Sequence, residues 1–210
     1  MRQTIMARRN TYLLALSVLV AAGCAKSDTA TVDSAAGTAP APAAGATTAD
    51  SGMAGMDHST MAGMNRAPAK DGDHEFLRMM SDHHEGMIRM ATDAMAKGST
   101  PTVQGDAHKM HTKQAADQKK MVGMVQSAYG ETVTPMVMPS NQAMIAALQG
   151  KTGAEYDRAF YQNVIAHHRE GIKMTDDLMS KLTKNDVRQM AQTMKSEQQK
   201  EITEIERKMK

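Results

Sequence analysis

The chain has no tryptophan, two phenylalanines and four tyrosines in 210 residues, so aromatic side chains make up only 3% of it. That scarcity removes the platforms on which single-stranded nucleic acid stacks. A formal net charge of +2 gives no basic field to replace them, so nucleic acid is not an expected partner. Cysteine is almost missing as well: the single Cys24 cannot close a disulfide within the chain or attach a haem. Nucleophile motifs and the Glu-x-x-His spacing of di-iron bundles are absent, which argues against an enzyme working through His83 or His167 and against an organic cofactor. What the chain has in excess is methionine, 22 residues, alongside 8 histidines. Methionine is an ordinary gap-filler of helical cores, so its positions decide how much of the excess is functional.

The one sustained apolar run, residues 12–22, is too short to span a bilayer and follows Arg2, Arg8 and Arg9, the charge pattern of an export signal. It ends in Val20-Ala21-Ala22-Gly23-Cys24, which resembles the lipobox of bacterial lipoproteins and implies that the Cys24 sulfur carries a lipid. Residues 1–23 thus read as a lipoprotein signal peptide, and the resemblance places the mature chain in the cell envelope, lipid-anchored and facing the periplasm. Residues 24–70 are mostly Ala, Thr, Ser, Gly, Pro and Asp, with too little apolar matter to offset chain entropy, and are expected to form a disordered tether.

Within that tether lie Met53, Met56, Met61 and Met64, two Met-x-x-Met pairs flanking Asp57-His58. Neutral, polarizable thioethers with an occasional imidazole suit Cu(I) or Ag(I) better than zinc, magnesium or calcium. The segment resembles the MDHxxM-type repeats of periplasmic copper-resistance proteins; the plain alternative is a low-complexity linker.

Comparing the chain with itself gives thirteen identities at a constant offset of 84 residues, among them His83-His84 with His167-His168, Met90 with Met174, Met110 with Met194 and Gln114 with Gln198. A single gapless register indicates duplication. Each repeat, 73–126 and 157–210, reads as two helices. Asp73 is expected to cap the first, which runs to about Lys97; Gly98 stops it and Thr100-Pro101 starts the second. Thr152-Gly153-Ala154-Glu155 has the capping-box pattern and Asn185 opens the last helix. A short helix from Asn141 to Gln149, capped by Ser140, is expected between the halves. The fold class is therefore all-α, a four-helix bundle from two repeated hairpins over residues 71–210.

Steps of four and three place Met80, His83, Met87 and Met90 on the stripe of the first helix and His167 and Met174 on that of the third. The second and fourth stripes carry Met110, Gln114 and Asp117, and Met194, Gln198 and Glu201. A bundle on these stripes brings imidazoles, amides and carboxylates into one interior ringed by methionine. Unsatisfied, each buried polar group costs about 1–3 kcal/mol, so the cluster is either an internally paired network that fixes register or a place for an ion. Two histidine pairs with methionine at helical spacing favour the ion: His83, His84, Met80, Met87, Met90 and Met110 in one repeat, His167, His168, Met174 and Met194 in the other. Gln114, Asp117, Gln198 and Glu201 would support them.

Residues 76–84, Phe-Leu-Arg-Met-Met-Ser-Asp-His-His, and 160–168, Phe-Tyr-Gln-Asn-Val-Ile-Ala-His-His, resemble the repeated F-x-x-x-M-I-x-H-H motif of the bacterial proteins grouped as domain of unknown function 305. The resemblance implies a ferritin-like four-helix bundle, usually exported, with some members tied to copper binding and tolerance. The second copy departs from the first: Val164-Ile165 stands where Met-Ile is expected, and Gly171 replaces the counterpart of Met87. The expected function is an exported, lipid-anchored protein that buffers, sequesters or transfers copper, with Cu(I) as the favoured ion and a copper donor or acceptor protein as partner. The competing reading is a helical interaction module without metal, or a methionine surface that scavenges oxidants.

Overall fold

The computed structural model describes residues 66–210. The expected export signal, Cys24 and the ladder with Met53, Met56, His58, Met61 and Met64 lie outside the described residues. Five α-helices follow in order: α1 (Gly72–Lys97), α2 (Pro101–Tyr129), the short α3 (Pro139–Leu148), α4 (Gly153–Leu178) and α5 (Asn185–Lys208). One 3-10 turn, Met179–Lys181, extends α4. The four long helices are those the repeat predicts.

The caps differ from expectation in instructive ways. Asp71, not Asp73, caps α1, accepting from the His74 N–H at 2.8 Å. Asp73 is instead fully buried and reaches across the bundle, its carboxylate accepting from the backbone N–H groups of Thr183 and Lys184 just before α5. Its counterpart Asp157 accepts from the Ser99 N–H at 2.8 Å and from the Ser99 hydroxyl, just before α2. Each repeat thus holds the inter-helix turn of the other, a crossed clamp between counterparts. Thr100 caps α2 and Gly130, at φ +68°, ends it in the left-handed region that glycine enters without steric cost. The capping box at α4 does not form: Gly153 enters the helix at φ +57°, Thr152 makes no cap bond, and Glu155 pairs with Lys151. Ser140 does not cap α3 either, because that helix begins one residue earlier at Pro139 and the Ser140 hydroxyl donates to Glu170 at 2.6 Å.

The helices α1 and α4 pack on one another, with α2 against α1, α5 against α4, and α3 against both central helices. Two apolar clusters fill the interior. One contains Phe76, Met80, Met121, Met174, Leu178 and Met194; the other contains Met87, Met90, Met110, Phe160, Val164 and Ile205. On every long helix a polar residue separates a member of one cluster from a member of the other: His83, Gln114, His167 and Gln198. The bundle therefore has a polar layer across its middle, as the stripes require. Residues 66–70, assigned by composition to the tether, lie against the helices. Arg66 pairs with the buried Asp82 carboxylate, Arg78 donates to the Ala67 carbonyl, and the Lys70 N–H donates to His74 Nδ1. Composition misses this because the contacts are ionic and backbone-mediated rather than apolar. No helix among the described residues is long and apolar enough to cross a membrane.

Candidate metal centre

His83 and His167, counterparts in the two repeats, stack face to face where α1 meets α4, with ring centroids 3.7 Å apart and planes 18° apart. A second pair of counterparts, Lys113 and Glu197, also touch, at 2.6 Å. Contact between equivalent residues places both pairs on one local pseudo-twofold axis. The neighbours His84 and His168 lie 6.2 and 5.8 Å from the stacked rings of their own repeats. All four imidazoles are buried.

Asn141, fully buried on α3, sets the protonation pattern of the stack. Its side-chain NH2 donates to the His83 carbonyl at 3.2 Å, which leaves its amide oxygen facing His167 Nδ1 at 3.1 Å. An oxygen there requires the proton on Nδ1. His167 Nε2 is then a bare lone pair, buried and without a hydrogen-bond partner. His83 has no hydrogen bond of good geometry at either ring nitrogen, although Glu170 Oε2 stands 3.9 Å from its Nε2. Both amide oxygens of the layer, on Gln114 and Gln198, are also unpartnered.

Burial governs the charge states. It lowers His83 to about 3, with repulsion from His168 adding to the effect, and holds His84 and His167 well below the ordinary imidazole value. Burial raises the Glu170 carboxyl, against the opposing hydrogen bond from Ser140. His83, His84 and His167 are thus neutral near pH 7, the state in which imidazole ligates a metal.

The predicted residues divide clearly. His83, His84, His167, His168, Gln114 and Gln198 are buried as expected. So are the methionines, but on opposite sides of the layer: Met80, Met174 and Met194 in one cluster, Met87, Met90 and Met110 in the other. They flank the imidazoles and do not form one shell. Asp117 and Glu201 do not turn fully inward; each keeps more than a quarter of its side chain exposed. Asp117 pairs with Lys113 at 3.1 Å, while Glu201 brings Oε2 to 2.7 Å from His168 Nε2. Asn141, Glu170 and Asp82 were not anticipated. Glu170 carried a signal, since it sits three residues after His167 at a helical spacing that keeps it on the buried face. Asn141 carried none, because nothing local says which helix a short connector will touch.

Gly171 explains one departure of the second repeat. A Cβ there would stand 2.9 Å from His83 Cε1 and 2.8 Å from the Gln198 amide oxygen, so the missing side chain admits both into the layer. Among the described residues no group of three or more His, Cys, Asp and Glu is arranged to hold a metal ion. The buried donors are neutral imidazoles, with thioethers in the apolar clusters on either side of the layer, and these two donor types suit a soft ion better than a hard, octahedral one.

A family model described as domain of unknown function (DUF305) matches residues 25–125 and again 123–209. None of the curated proteins matches. Among solved structures the chain is similar to CopM in its Cu(I)-bound form, at 24% identity and a TM-score of 0.56, over 64% of this chain and 93% of that one. It is similar also to a DUF305 protein from Streptomyces coelicolor named as secreted (23%, TM-score 0.59, 66% and 91%) and to a DUF305 fragment from Deinococcus radiodurans (21%, TM-score 0.57, 67% and 96%). CopM has been seen with Ag and Cu(II) as well. At such identities the likeness is one of fold.

Proposed function

The chain belongs to the DUF305 family, and on that premise we propose that it is an exported, lipid-anchored copper-binding protein, not an enzyme, which buffers or hands on Cu(I) in the periplasm. One observation carries the reading: His167 Nε2 is a buried lone pair with no partner, beside a stacked neutral imidazole that also lacks one. Unmet, these nitrogens cost about 1–3 kcal/mol each. A soft cation would satisfy them without needing a proton to leave. The ions bound by CopM, a structural neighbour, support the choice of copper and silver. Met80, Met87, Met90, Met110, Met174 and Met194 are the thioethers near the layer in sequence; Met53, Met56, His58, Met61 and Met64 would supply a second, exchangeable set, and lipid on Cys24 would keep the chain at a membrane. A copper donor or acceptor protein would be the partner.

Metal analysis of the full chain, loaded with copper and titrated with a competing Cu(I) chelator, tests this. His83→Ala and His167→Ala should each lower the tightly held copper, and deletion of residues 53–64 should lower the total while sparing that fraction. Copper content unchanged in all three would overturn the assignment.

A further inference from the structure

Between α2 and α5 the bundle has two clefts, one on either side of the Lys113–Glu197 pair. The first, of about 90 Å³, is lined by Asp106, Lys109, Met110, Glu201, Glu204 and Ile205. The second, of about 230 Å³, includes Met190, Thr193, Met194, Asp117 and Lys120, the 84-residue counterparts of five of those positions. They are one site seen twice through the pseudo-twofold axis, and their chemistry differs.

Lys113 and Glu197 are counterparts with opposite charge, so the axis cannot treat the two sides alike. Four residues after Lys113 stands Asp117, which it binds at 3.1 Å while also holding Glu197. Four residues after Glu197 stands Glu201, a like charge that offers no such partner. Glu201 is therefore left to face inward, where its carboxylate meets His168 Nε2 at 2.7 Å. His168 is fully buried, and both its ring nitrogens lack a hydrogen bond of good geometry. The other two carboxylates of this cleft, Asp106 and Glu204, are both held by Lys208. Of the three carboxylates of this cleft, only Glu201 couples the outside to an imidazole. Its own side chain is 28% exposed, so one residue spans solvent and core.

We infer that the Glu201 cleft, rather than the opposite cleft where Lys113 holds the counterpart Asp117, is the entrance by which a cation reaches the buried imidazoles, with the Glu201 carboxylate, His168 and the Met110 thioether as its first stop. This rests on the metal-binding reading above and adds a direction to it. A carboxylate at the mouth attracts a hydrated cation and lets it shed water gradually. Neutral imidazole and thioether then replace oxygen donors as the ion moves inward, so the ligand set softens along the path.

Two measurements on the full chain test the inference. The first follows Cu(I) transfer from a chromophoric chelator in stopped flow, with Glu201→Lys, Glu201→Gln and, on the opposite cleft, Asp186→Lys, each checked for helical content. Glu201→Lys should slow loading at least tenfold and Glu201→Gln severalfold, while Asp186→Lys stays within twofold of the parent. The second adds Ag(I) below one equivalent to 15N-histidine-labelled chain and follows the ring signals in time; those of His168 should shift before those of His83 and His167. Loading at the parental rate in Glu201→Lys, equal slowing in Asp186→Lys, or His83 responding ahead of His168 would overturn the entrance alone. A parent chain that takes up no Cu(I) or Ag(I) would overturn both the entrance and the metal-binding reading.

Discussion

His84 and His168 hold the same position in the two repeats, yet only His168 meets a carboxylate. In the second repeat Glu201 is drawn to the imidazole; in the first, its counterpart Asp117 is drawn away to Lys113. The same contrast recurs within the layer, where Met87 fills space in α1 and Gly171 leaves space in α4 for His83 and Gln198. Gly86 and Glu170 differ in the same way. A Cβ on Gly86 would collide with the Asn141 side chain, so glycine admits α3, whereas Glu170 receives the Ser140 hydroxyl from that same helix. One short helix on one side of a duplicated bundle makes the halves unequal, and a single charge reversal on the axis makes their surfaces unequal.

The largest effect that would sharpen this comparison is acid sensitivity. In the unfolded chain histidine takes its proton near 6.5, whereas folded His83 resists until about 3 and His84 and His167 are also strongly depressed. The metal-free fold should keep its full stability above about pH 6.5 and lose it as pH falls, by up to about 1.4 kcal/mol per pH unit for each of the three. The raised Glu170 carboxyl works in the opposite sense and offsets part of the loss. Urea unfolding at stepped pH measures it, and a flat profile between pH 7 and 5 would contradict the buried neutral imidazoles.

Next in size is the crossed clamp. Asp73 is more deeply buried than Asp157 and serves two backbone N–H groups where Asp157 serves one. Asp73→Ala should cost about 1.5–3 kcal/mol and Asp157→Ala less, since bonds to a buried carboxylate are the strong ones. Equal losses would mean the two turns are held alike. Gly171→Met, which restores the first repeat's residue, should destabilise by about 1–3 kcal/mol through overpacking against His83 and Gln198; a neutral or stabilising result in thermal melts would show that the layer is loose there. The smallest change is expected for Lys113→Gln, under about 1 kcal/mol, because both partners of this partly exposed pair keep contact with water.

Much of the architecture is legible in the chain itself. The 84-residue register, the steps of four and three, Gly98 and Thr100-Pro101 locate the long helices because each signal acts within a turn or two. The polar layer is legible for the same reason: His83, Gln114, His167 and Gln198 interrupt apolar stripes that must face inward. What local sequence cannot carry is which polar group meets which. Asp73 has the composition of a cap and is instead a clamp 110 residues away from its partner, and Thr152 has a capping pattern that the left-handed Gly153 prevents from forming.

By itself the sequence determined a duplicated, methionine-rich helical bundle with histidines in its interior, because periodicity and repetition are properties of the chain. Only the tertiary structure decided that His83 and His167 stack on the axis, that Asn141 leaves His167 Nε2 bare, and that Glu201 rather than Asp117 reaches an imidazole. Those outcomes depend on the packing of α3 and on the pairing of Lys113 with Glu197. Both are contacts between distant segments, for which the chain holds no local signal.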